Sequence, residues 1–95
     1  MDISIELSAY HKQVGKKLRY IRRVRKEKMV SVAKSIGLSE GTISRIERGK
    51  YPKLHTRQIM MFADYYNISI DDLISAKEIE YTDNRPPLSE SKKAI

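Results

Sequence analysis

The sequence predicts an all-α fold of five short helices, with a flexible N-terminal arm at residues 1–8 and a polar C-terminal tail at residues 77–95. Two observations carry that prediction. Apolar side chains recur at the helical period from Val14 to Leu73, and Gly37, Gly49, Pro52 and Asn67 cut the pattern into helix-length pieces. Ninety-five residues allow one small domain and no second core. The helical domain is therefore placed at residues 9–76.

The opening segment DISIEL alternates as a short strand would, and a terminal arm is an equal reading. Ser8 is the expected cap of the first helix, whose apolar positions are Val14, Leu18 and Ile21. Between and around them lie Lys12, Lys16, Lys17, Arg19, Arg22, Arg23, Arg25, Lys26 and Lys28, so the outer face of this helix is expected to be strongly basic. The second helix carries Met29, Val32, Ala33 and Ile36 and stops at Gly37. Ser39 caps the third, LSEGTISRIERG, which ends at Gly49. Only Gly37, Leu38 and Ser39 link these two helices, a connection that favours a sharp crossing over side-by-side packing.

Pro52 forbids continued helix in the loop that follows. Thr56 is the expected cap of the fourth helix, with Ile59, Met60, Phe62, Ala63 and Tyr66 towards the core and Asn67 in the left-handed position that ends it. Ser69 and Asp72 have capping-box spacing for a fifth helix. From Lys77 onwards the chain is polar, contains Pro86-Pro87 and has no sustained period, as a mostly disordered segment would.

The net charge of +7 is unevenly spread. From Lys12 to Arg57 there are 15 Lys or Arg against three acids (Glu27, Glu40, Glu47), a balance of +12; the remainder has four basic and nine acidic residues, a balance of −5. Concentrating like charge costs stability through self-repulsion, and a polyanion would relieve it. Several function classes find no support. There is no Cys, and His11 and His55 stand apart from any acid or thiol at ligand spacing, so neither a metal nor another cofactor is expected. No nucleophile–base pair or phosphate-cradling Gly loop points to an enzyme. The longest apolar run, IMMFA, is far short of a membrane span, and MDISIELSAY lacks the basic and apolar regions of a secretory leader. A cytoplasmic protein is the expectation.

Projected at about 100° per residue, the segment 39–50 turns Ile43 and Ile46 inwards and Gly41, Ser44, Arg45 and Arg48 outwards, with Glu40 on the flank. Such a face suits a major groove. Arg45 has the fork for a guanine edge, Glu40 can accept from a cytosine amino group and Ser44 can donate or accept. Arg48 and Lys50 can neutralise phosphate.

Residues 15–74 resemble the helix-turn-helix domain of the phage repressor/Cro family, also called the XRE family. The matching residues are Gly15, Leu18, Arg22, Ala33, IGLS at 36–39, TISRIERGK at 42–50, Ala63 and NISIDDL at 67–73. The resemblance implies a five-helix repressor-like domain in which residues 29–36 cross the DNA backbone and residues 40–48, with the cap Ser39, form the recognition helix. Carried over by position, Glu40, Gly41, Ser44 and Arg45 match base-reading sites, and Ser39, Arg48 and Lys50 match sites near phosphate. With Lys28, Thr42 and Lys53 these complete the expected phosphate set. The resemblance also implies a structural salt bridge between Arg22 and Glu47, and both residues edge the buried stripes of their helices.

The chain departs from the family where Lys26-Glu27-Lys28-Met29 replaces the usual Gly-Leu-Ser/Thr-Gln turn. With no Gly there, the first helix is expected to run on further, and the phosphate contact of the usual Gln is lost at Met29. Lys26 or Lys28 can substitute as a less directional contact. Met29 is expected in the core.

These readings converge on sequence-specific binding of double-stranded DNA by a homodimeric transcriptional regulator of repressor type. The dimer patch would be an exposed Tyr65 or Tyr66 with Ile68, Ile70, Leu73 or Ile74. The alternative is an antitoxin or protein-interaction module whose C-terminal tail binds a protein partner.

Overall fold

The spacing of Val14, Leu18 and Ile21 gives α1 (Ile3–Val24) one apolar stripe, and all three side chains are fully buried in the computed structural model. The structure describes residues 3–83 and 85. Four shorter helices follow: α2 (Met29–Ile36), α3 (Glu40–Glu47), α4 (Thr56–Tyr66) and α5 (Ile70–Ile74). Helix α1 contacts α3 and α5, while α2 contacts α3 and α4. Val32, Ala33, Ile36, Ile43, Ile46, Ile59, Phe62, Ala63, Tyr66 and Leu73 complete the core, with Met29 packed on its edge as expected. The rings of Phe62 and Tyr66 stack at 6.2 Å between centroids.

Helix α1 begins at Ile3 and runs through Ser8, which was expected to cap it. No Gly or Pro interrupts residues 3–14, and Glu6, Leu7 and Ala9 are good helix formers, so nothing stops the helix short of its second turn. Residues 1 and 2 of the expected arm lie outside the described residues.

Four helices end in the same left-handed closure, and the residue that supplies it differs. Gly37 (φ 84°) and Gly49 (φ 70°) take it after α2 and α3, and Asn67 (φ 53°) after α4, as expected. The expectation that α1 runs on is overturned, because Lys26 (φ 56°) takes the same conformation after α1. Lys26 N–H donates to Arg23 O at 3.0 Å and Glu27 N–H to Arg22 O at 3.1 Å. A residue with a Cβ costs about 1–2 kcal/mol in this conformation. Bonds around the next residue offset that cost. Arg22 Nη1 donates to Glu27 O at 3.0 Å, and the Glu27 carboxylate accepts from Arg25 Nε, from the Tyr65 hydroxyl and from Arg85 Nη1.

The basic outer face of α1 is smaller than composition suggested. Lys17 and Arg25 occupy positions of the same stripe as Val14, Leu18 and Ile21, and both are buried. Lys17 Nζ caps the end of α5, donating to Asp72 O at 2.6 Å and Ser75 O at 2.7 Å. Its desolvation pushes its pKa down, against the Asp72 charge. The Arg25 guanidinium lies 5.0 Å from the ring centre of Tyr65 and 5.1 Å from that of Tyr66.

On α4 the core positions Ile59, Phe62, Ala63 and Tyr66 keep the i, i+3, i+4, i+7 rule, and Met60 falls off that stripe and is 51% exposed. His55, not Thr56, is the capping residue. Its N–H donates to the Gln58 side chain at 2.9 Å, the reach-back half of a capping box. Ser69 caps α5 as expected, its hydroxyl accepting from Asp72 N–H at 3.0 Å.

Residues 77–83, expected to open the disordered tail, lie along the domain. Ile79 and Tyr81 alternate inwards and pack on the core. Tyr81 N–H donates to the Tyr20 hydroxyl at 3.1 Å, and the Tyr81 hydroxyl donates to Tyr66 O and accepts from Arg25 Nη1, both at 3.0 Å. The polar residues of this strap are its solvent side, and two apolar residues suffice to dock it. The rest of the expected tail, 84 and 86–95, lies outside the described residues.

Candidate nucleic-acid interface

Helices α2 and α3 are joined by Gly37, Leu38 and Ser39 and pack directly on one another. Leu38 is partly buried against the core, and its N–H donates to Ala33 O at 3.0 Å, which turns the chain sharply out of α2. Ser39 then caps α3. Its Oγ accepts from Thr42 N–H at 3.1 Å and shares a 2.8 Å hydrogen bond with Thr42 Oγ1. Two hydroxyls and the remaining free N–H groups of the first turn thus stand together at the positive end of the helix dipole.

The inner side of α3 is pinned at three points. Ile43 and Ile46 are buried in the core. Glu47, 5% exposed, accepts from Arg22 Nε at 2.7 Å and Nη2 at 3.0 Å. That bond raises the Arg22 pKa against the cost of its burial. Gly15 of α1 lets the two backbones touch; a Cβ there would meet the carbonyl oxygen of Ile46 and lie 2.6 Å from that of Glu47.

The outer side holds the residues expected to read bases. Glu40, Gly41 and Arg45 are exposed and Ser44 is half-exposed. At Gly41 an added Cβ would meet nothing nearer than Ser39 Oγ at 4.0 Å, so the surface there is open. Arg48 Nε folds back on Ser44 O at 3.3 Å. Lys50 and Lys53 are exposed in the loop after α3. Lys28 is also exposed and stands at the start of α2.

One member of this surface was missed by sequence reasoning. The Arg45 guanidinium carbon lies 5.6 Å from the ring centre of Tyr51. The ring comes back beside α3 because Gly49 reverses the chain and Lys50 N–H donates to Arg45 O at 2.8 Å. The signal available was an aromatic residue immediately before Pro52, where the backbone is confined to extended forms.

A short helix and a second helix crossing it at a three-residue turn, with the second helix's outer face open and cationic, define a helix-turn-helix unit. The chain belongs to the family of Cro/C1-type HTH DNA-binding domains, whose profile matches residues 17–78. It is a DNA-binding domain of the kind that serves transcription regulation. No curated protein and no solved structure matches the chain. Among the described residues, no helix is long and apolar enough to cross a membrane and no group of three or more side chains is arranged to hold a metal ion.

Proposed function

We propose that the chain is a homodimeric, sequence-specific transcriptional repressor that inserts residues 39–48 into the major groove of duplex DNA. The observation that carries this reading is the division of α3 into two faces. The inner face is held by Ile43, Ile46 and the Arg22–Glu47 pair, and the outer face leaves Glu40, Gly41, Ser44 and Arg45 open. Affinity comes mainly from phosphate contacts and the counterions they release; discrimination comes from Arg45, Glu40 and Ser44. Lys28, Ser39, Thr42, Arg48, Lys50 and Lys53 supply the phosphate contacts. Binding is the whole activity, with no chemical step, and the working location is the cytoplasm, on the nucleoid.

Ile70 and Ile74, one turn apart on α5, are exposed and form the apolar patch for a second copy. Leu73 is fully buried and Tyr65 is committed to Glu27, so neither belongs to that patch. Two copies would read half-sites about 34 Å apart. No observation favours a partner-binding role for residues 77–83, since Ile79 and Tyr81 pack within their own domain.

Selection of random duplex DNA on the purified protein at two salt concentrations tests the reading. A palindrome with half-sites one helical turn apart supports it, as does a slope of log K against log salt near −4 to −5, the value for about five phosphates per domain. A slope near zero excludes the mechanism. Arg45→Ala should relax the preference at one base by ~1–3 kcal/mol with the fold intact. Equal weakening on all sequences would make Arg45 a phosphate residue instead.

A further inference from the structure

We infer that Tyr51 is a positioning residue for DNA reading. Its ring holds the Arg45 guanidinium in the orientation from which it meets a base edge, so base preference at that position depends on a residue outside the recognition helix. The inference rests on Arg45 being a base-reading side chain.

Arg45 is exposed and long, and an unrestrained Arg on a helix surface samples many rotamers that must be given up on binding. Discrimination by Arg depends on the direction of a planar fork, more than on the presence of charge. Anything that restricts the fork before DNA arrives therefore favours a base edge over a phosphate, which accepts from many directions.

Tyr51 has the attributes of such a restraint. It is partly buried against the core, so the ring is itself held. Its backbone follows the left-handed turn at Gly49 and precedes Pro52, two constraints that fix where the ring emerges. The loop continues as a tight turn, with Leu54 N–H donating to Tyr51 O at 3.4 Å. The guanidinium carbon stands 5.6 Å from the ring centre, within the range of a cation–π contact. No carboxylate competes for Arg45 among the described ion pairs. A flat ring also leaves the fork's N–H edges free to bond outwards, which a carboxylate partner would not.

The test uses the full-length protein and randomised duplex DNA. Wild type, Tyr51→Phe and Tyr51→Leu are carried through the same selection, then titrated against the recovered site and its single-base variants. Tyr51→Leu keeps apolar packing without a π face and should lose about two- to five-fold of the discrimination at one base position, the equivalent of a cation–π contact of ~0.5–1 kcal/mol. Tyr51→Phe should retain it. In an Arg45→Ala background, Tyr51→Leu should change discrimination no further. Equal weakening on every sequence, or Tyr51→Phe failing as Tyr51→Leu does, would overturn the inference while leaving the reading of α3 intact. A wild-type selection that enriches no motif would bring down both.

Discussion

Arg22 and Glu47, 25 residues apart, meet in a two-point ion pair that ties α1 to the C-terminal end of α3, with Nε–Oε2 at 2.7 Å and Nη2–Oε1 at 3.0 Å. Their side chains are only 12% and 3% exposed. Little solvent screens them, and the fork fixes both distance and angle. The outer face of α3 is therefore held in register with α1 by a charged contact as well as by Ile43 and Ile46.

Removing one partner should be costly. Glu47→Ala leaves a near-buried guanidinium facing an empty site, and losses of ~3–5 kcal/mol are usual for breaking such a pair. The low end is expected, because Arg22 Nη1 still has Glu27 O at 3.0 Å. Urea denaturation of the variant measures it; an unchanged midpoint would mean the pair contributes no net stability.

Two glycines should respond oppositely to the same substitution. Gly15→Ala forces a methyl into the backbone of α3 and should destabilise by ~1–3 kcal/mol, as overpacking does. Gly41→Ala meets open space and should leave stability unchanged or raise it by up to ~1 kcal/mol, while reducing DNA affinity if the groove approaches that backbone. Thermal melts and DNA titrations on the two variants separate packing from recognition.

The strap should be part of the folding unit. Tyr81→Phe removes the hydroxyl that joins Tyr66 O to Arg25 Nη1 and should cost ~1–3 kcal/mol, since both partners are left beneath the ring. A melting temperature equal to wild type would place residues 77–83 outside the cooperative unit.

The turn after α1 should be acid-sensitive through Glu27. Burial pushes its carboxyl up, but bonds from Tyr65 and Arg25 and the charges of Arg25 and Arg85 more than offset this, leaving it below its ordinary 4.5. A carboxyl depressed by folding contributes stability that is complete above the unfolded value and is lost as pH falls through the folded one. Wild type should thus exceed Glu27→Gln in melting temperature at neutral pH, with the gap closing as pH drops below 4.5. A gap constant with pH would assign the role of Glu27 to something other than its charge.

The sequence by itself determined the helix count, the caps at Ser39 and Ser69, the stops at Gly37, Gly49 and Asn67, and which side of α3 faces out. All of these follow from local rules, a 3.6-residue period and the chemistry of a few turn residues, which need no knowledge of distant neighbours. Only the tertiary structure decided that α1 stops at a lysine, that Lys17 and Arg25 lie inside the basic stretch rather than on it, that Tyr51 stands over Arg45, and that Ile79 and Tyr81 draw a polar segment back onto α1. In all but the Tyr51 case, which a local chain reversal at Gly49 produces, the deciding partner is remote in the chain. Lys26 is held in a costly backbone conformation because Glu27 is fastened by Tyr65 and Arg85, and Lys17 can be buried because the end of α5 offers it three oxygens. Local propensity is settled by energies near 1 kcal/mol. Several charged hydrogen bonds made across the fold outweigh it wherever they converge.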